Sequence, residues 1–168
     1  MAGLVEEAIR LLSHETKNRD IKIVRQMETS LGTIQSDPYQ LRQVLLNLLT
    51  NALHAIISGG MITIAIENAG DSQVVTVSDT GQGIPRENLD RIFEPFFTTK
   101  PTAEGTGLGL FVTRGIVEKL GGTVAVESEI GSGTRFCIRL PKHLKKSEEC
   151  NESFDKNWIE KIKSRLKG

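Results

Sequence analysis

Hydrophobic residues first recur at helical spacing: Leu4, Val5, Ala8, Ile9, Leu11 and Leu12 form one stripe, which ends in the polar stretch over residues 14–20. Two short runs follow, IKIVRQM over residues 21–27 and TIQ over 33–35, and the turn at Gly32 between them predicts a short antiparallel pair. Asp37 precedes Pro38 as an N-cap precedes a proline at the first helical position, so a long helix is expected from Pro38 to about Ser58, stopped by Gly59 and Gly60. MITIAIEN (61–68) and QVVTVSD (73–79) alternate around Gly70 and Asp71, which predicts a hairpin. Pro85 opens a short helix reaching Ile92, and another helix spans 107–120, closed by Gly121 and Gly122. TVAVES (123–128) and TRFCIRL (134–140), joined at Gly131 and Gly133, complete the core as a last strand pair.

Helices and strands mix without the strict alternation of a parallel sheet. The expected class is therefore α+β: a two-layer sandwich with three main helices on one face of a mixed, mainly antiparallel sheet. Residues 1–141 form the expected domain, and 142–168 a charged tail with amphipathic character around Trp158, Ile159 and Ile162.

Composition narrows the functional classes. With 168 residues, 38% hydrophobic and 25% charged, the chain suits one soluble domain with a real core. Lysine plus arginine and aspartate plus glutamate each number 21, so no net field draws the chain to nucleic acid or to an anionic membrane. No apolar run approaches the roughly 20 residues of a membrane span, and the first ten residues lack signal-peptide regions, so a cytoplasmic, monomeric domain is expected. Cys137 and Cys150 show no metal spacing and no disulfide framework.

The long helix carries the first chemical signal. At about 100° per residue, Leu41, Val44, Leu45, Leu48, Leu49, Ala52, Leu53, Ala55 and Ile56 cover most of its circumference. Gln40, Gln43, Asn47, Asn51 and His54 share the remaining stripe. A solvated face is one reading of such a stripe. Solvated faces usually carry lysine and glutamate, whereas amides four residues apart suit a partly dehydrated metal or phosphate, and the cavity reading is preferred.

Three glycine-bearing or aromatic segments follow in order. In DTGQGIP, Asp79 ends a strand, and Gly81 and Gly83 permit tight turns. A carboxylate there accepts from an exocyclic amino group such as that of adenine and rejects a carbonyl, although a turn-capping role accounts for such an aspartate equally well. FEPFFTTK and the residues up to Gly105 lack periodicity and read as a lid, or as a plain surface loop. GTGLGL (105–110) opens a helix whose first N–H groups form an anion site, with Leu108 and Leu110 expected in the core. Neither a dinucleotide fingerprint nor a Walker lysine is present.

In this order and spacing, the segments resemble the asparagine, first glycine, phenylalanine and second glycine boxes of the catalytic, ATP-binding domain of sensor histidine kinases. That domain has the Bergerat fold and belongs to the superfamily that also holds type II topoisomerases, heat-shock chaperones and mismatch-repair ATPases. The resemblance covers residues 4–140, and FEPFFTTK followed by GTGLGL is its most specific part.

The resemblance implies that Asn47 and Asn51 hold Mg²⁺ and the ATP phosphates as the catalytic and metal residues, with His54 nearby. It implies Asp79 on the adenine amino group, with Gly81, Gly83 and Ile84 shaping that wall and Thr134 supporting the aspartate. Gly105, Thr106, Gly107, Leu108, Gly109 and Leu110 would border the triphosphate, with Phe96 on the lid and Lys100 and Arg91 as further phosphate candidates. The implied reaction is phosphoryl transfer to a histidine on a dimerisation hairpin, from which a response regulator receiver domain takes the group. Hydrolytic branches of the superfamily place a glutamate base where this chain has Asn47, which disfavours rapid ATP hydrolysis.

His14, Glu15 and Asn18 in SHETKNRD resemble the phosphoacceptor box, but Arg19 stands where proline is expected. The interval from His14 to Asn47 is also too short for a two-helix hairpin. The acceptor is therefore expected on another domain or chain. An anti-sigma-factor serine kinase, a chaperone- or topoisomerase-like ATPase, and a nucleotide sensor without catalysis remain as alternatives.

Overall fold

The computed structural model describes residues 1–99 and 106–143. Lys100, Gly105 and the expected amphipathic stretch of the tail lie outside the described residues. Among the described residues, three helices and five strands follow in chain order: α1 (Ala2–Asn18), β1 (Ile21–Met27), α2 (Pro38–Ala55), β2 (Gly60–Ala69), β3 (Ser72–Asp79), α3 (Gly109–Lys119), β4 (Thr123–Glu129) and β5 (Gly133–Pro141), with a 3₁₀ turn at Arg86–Asn88. The sheet order is β1-β2-β3-β5-β4; β1 runs parallel to β2 and all other neighbours are antiparallel. Alternate strand residues (Ile62, Ile64, Ile66, Val75, Val77, Phe136, Ile138, Leu140) join Val5, Ala8, Leu48, Leu49, Leu53 and Val117 in one apolar core. This is the expected two-layer α+β sandwich.

Helix α2 is its centre. Asp37 accepts a hydrogen bond from the Tyr39 N–H at 2.9 Å, which caps the helix with Pro38 in its first turn. Seven of its residues, Leu41, Val44, Leu45, Leu48, Leu49, Ala52 and Leu53, are buried. Each buried leucine contributes about 1.5–3 kcal/mol relative to exposure. The helix stops at Ala55, short of the expected Ser58, because Ile56 is extended (φ −95°, ψ 118°) and turns its buried side chain into the core.

Several local expectations change. Residues 33–35 form no strand; Asn68 Nδ2 binds the Ser30 carbonyl at 2.7 Å and the Gln35 N–H the Lys142 carbonyl at 2.9 Å, so this loop is tied across the sheet end. β1 instead pairs in parallel with β2, with α2 as the crossover. The helix expected to reach Ile92 is only the 3₁₀ turn followed by irregular turns, and α3 begins at Gly109 because Gly107 has φ +66° and its carbonyl accepts from the Phe96 N–H. Leu110 packs against the core without being fully buried, and Leu108 is half-buried at the N-cap of α3.

Candidate functional site

The polar edge of α2, the ends of β3 and β5 and the start of α3 enclose a cavity of about 390 Å³. Asn47, Thr50, Asn51 and His54 line it from α2, and Asp79, Thr134 and Phe136 from the strand ends. Gln82, Gly83, Ile84, Pro85, Asn88 and Ile92 close one rim, while Phe97, Thr98, Thr99, Thr106, Gly107, Gly109 and Leu110 close the other. The amide stripe of α2 thus divides: its C-terminal half faces the cavity, and Gln40 and Gln43 do not.

Asn47 is tied to α3. Its Nδ2 donates to the Gly109 carbonyl at 3.0 Å and to Thr113 Oγ1 at 3.3 Å, so both amide hydrogens are engaged and Oδ1 remains as an acceptor. Thr113 is completely buried, and the sequence offered no sign of its role beyond a hydroxyl one turn after Gly109. Among the described residues no group of three or more His, Cys, Asp or Glu side chains could hold a metal ion. Side-chain amide oxygens together with ligand phosphates and water fit magnesium, which keeps several waters and takes few protein ligands.

Asp79 is buried at the end of β3 opposite Thr134, and its Oδ1 accepts from the Gly81 N–H at 2.8 Å. Burial pushes its carboxyl above the usual aspartate range, opposed by the backbone N–H groups of Gly81 and Thr134. A carboxylate held this way keeps acceptor capacity toward the cavity.

The glycines serve the chain's own packing. A side chain on Gly81 would meet the backbone of Ala55. Gly83 has φ +74° and abuts the Glu129 carbonyl, a position open only to a residue without Cβ. Gly81 does not line the cavity. Neither does Leu108, nor Phe96, which is 73% exposed with φ +65°. Phe97, the neighbouring aromatic, faces the cavity instead. Arg91 also lies off the lining: it pairs with Glu94 at 3.3 Å and stacks over the Phe97 ring at 4.6 Å, bracing that residue. Thr50, Asn88 and Phe136 line the cavity without having stood out in the sequence.

The family model described as "Histidine kinase-, DNA gyrase B-, and HSP90-like ATPase" matches residues 36–144, more than half of the chain. The chain belongs to this ATPase family. Within it, the catalytic domain of histidine kinase ThkA superposes with a TM-score of 0.77 at 34% identity, over 84% of this chain and 92% of that one. This makes the chain a histidine-kinase-type ATPase domain. Sensor histidine kinase ZraS is 43% identical in Klebsiella oxytoca, over 87% of this chain and 31% of that protein, and 41% identical in Escherichia coli K12, over 86% and 31%. The domain spans about a third of the length of these curated relatives. No helix among the described residues is long and apolar enough to cross a membrane.

Proposed function

We propose that this domain binds Mg²⁺-ATP in the cavity and transfers the γ-phosphoryl group to a histidine presented by a separate dimerisation hairpin. The observation that carries this reading is the convergence of the α2 amides, the buried Asp79 and the start of α3 on one cavity. The adenine amino group would meet Asp79. The phosphates would lie toward the first turn of α3, whose N–H groups and dipole favour an anion. Asn47 and Asn51 would hold the metal, which when bound neutralises phosphate charge. His54 lies on the same edge of α2, where it would contact the phosphates.

Phe97, Thr98 and Thr99 would cover the nucleotide and exclude water. The amide of Asn47 cannot take a proton from an attacking water, so the acceptor's own nucleophilicity matters. A neutral histidine ring nitrogen supplies it: a nitrogen–phosphorus bond forms as the bond from the γ-phosphorus to the bridging oxygen breaks, and ADP departs. Catalysis then rests on positioning and charge stabilisation. A response regulator receiver domain is the expected next acceptor, a reading supported by the solved complex of ThkA with response regulator TrrA, whose kinase chain is 29% identical at a TM-score of 0.75.

Two measurements test this. Calorimetry should show ATP binding that weakens when magnesium is chelated, and radiolabelled ATP should label a separately purified histidine hairpin. Absence of magnesium-dependent ATP binding would overturn the site. Binding with steady phosphate release and no labelled hairpin would move the domain to the hydrolytic branch.

A further inference from the structure

Ser128 lies on β4 outside the cavity lining, yet its hydroxyl joins three segments of the wall behind Asp79 and Thr134. Its Oγ accepts from the Ile84 N–H at 2.8 Å, donates to the Gly133 carbonyl at 2.8 Å and lies 2.9 Å from Thr134 Oγ1. The Ile84 N–H can only donate, and the Gly133 carbonyl can only accept. Ser128 has a single hydrogen. All three partners are satisfied only if that hydrogen goes to Gly133 and the Thr134 hydroxyl donates its own hydrogen to Ser128.

The consequence falls on Thr134, which is 5% exposed and lines the cavity. With its hydrogen turned back to Ser128, it presents lone pairs to the cavity. Asp79, its cross-strand partner, presents carboxylate oxygens beside it. An amino group finds acceptors there. A carbonyl finds no donor from either side chain.

We propose that Ser128 is the positioning residue that makes this end of the cavity select a 6-aminopurine over a 6-oxopurine, by holding the Thr134 hydroxyl as an acceptor. The inference rests on the reading of the cavity as an ATP site. Without Ser128 the Thr134 hydroxyl is free to rotate and donate, directly or through water, to a 6-oxo group.

The test is calorimetric binding of ATP and of inosine triphosphate, its 6-oxo counterpart, to the whole chain with magnesium. The unaltered chain is expected to prefer ATP by about a hundredfold or more. Ser128→Ala should narrow that ratio by about tenfold, with ATP weakened more than the inosine nucleotide. Ser128→Thr keeps the hydroxyl and should restore the ratio. Equal weakening of both nucleotides in Ser128→Ala, or an unchanged ratio, would overturn the proposal and leave Ser128 as a brace for the Ile84 loop. An unaltered chain that binds the two nucleotides equally would instead overturn the assignment of the purine to Asp79, and this proposal with it.

Discussion

Asp79→Asn separates binding from stability at one position. Asparagine keeps an oxygen for the Gly81 N–H, which Asp79 accepts at 2.8 Å. Its NH₂ group then takes the place of the second carboxylate oxygen and meets the ligand's amino group, which is also a donor. One ligand hydrogen bond is lost and a donor is left unpaired, which together cost about 2–4 kcal/mol, or about 30- to 900-fold in Kd for ATP.

Stability moves the other way. Burial raises the folded-state pKa of Asp79 above its unfolded value, so the native state binds the proton more tightly than the unfolded chain does. The resulting penalty is absent below the unfolded pKa, grows as pH rises to the folded pKa and stays constant above it. Asparagine carries no charge to desolvate, so the variant's stability relative to the natural chain should improve from acid toward neutral pH and then level off. Urea melts at a series of pH values, paired with ATP titrations at neutral pH, measure both effects. Unchanged ATP affinity, or a relative stability that falls as pH rises, would refute the reasoning.

Two further substitutions probe the frame around the site. Gly83→Ala places a methyl against the Glu129 carbonyl at φ +74°, and should cost about 2–4 kcal/mol in urea unfolding, more than Gly131→Ala, where φ is also positive (+80°) but no atom lies within 4 Å. Leu49→Ala removes a fully buried side chain on the apolar side of α2 and should cost about 2–5 kcal/mol by the same measurement, with little change in ATP affinity per folded molecule.

Much of this was legible because local rules acted alone. The Asp37–Pro38 start of α2, the strand alternation about Gly70 and the amide spacing from Asn47 to Asn51 each depend on neighbours in the chain. Other features depended on how side chains and backbone meet in the folded chain. The strand expected at residues 33–35 lost to loop ties made with Asn68 and Lys142. Phe96 and Phe97 are identical in type and adjacent, and only the backbone geometry at Phe96, paired with Gly107, decides that Phe97 faces the cavity. Arg91 offered a charge suited to phosphate; Glu94 and the Phe97 ring engage it instead. Ser128 sat unnoticed in an ordinary alternating strand, because a hydroxyl has no signature until its three partners are known.

Local pattern was enough for the two-layer class, the buried helix with its polar edge and the chemical types gathered for a nucleotide, since periodicity and turn chemistry act over a few residues. The parallel pairing of β1, the packing reasons for the glycines and the direction in which the Asn47 and Thr134 hydrogens point emerge from the packed fold. Those depend on groups far apart in the chain: Asn47 meets Gly109 and Thr113, Ser128 meets Ile84, and Thr134 meets Asp79, only once the sheet and helices have packed.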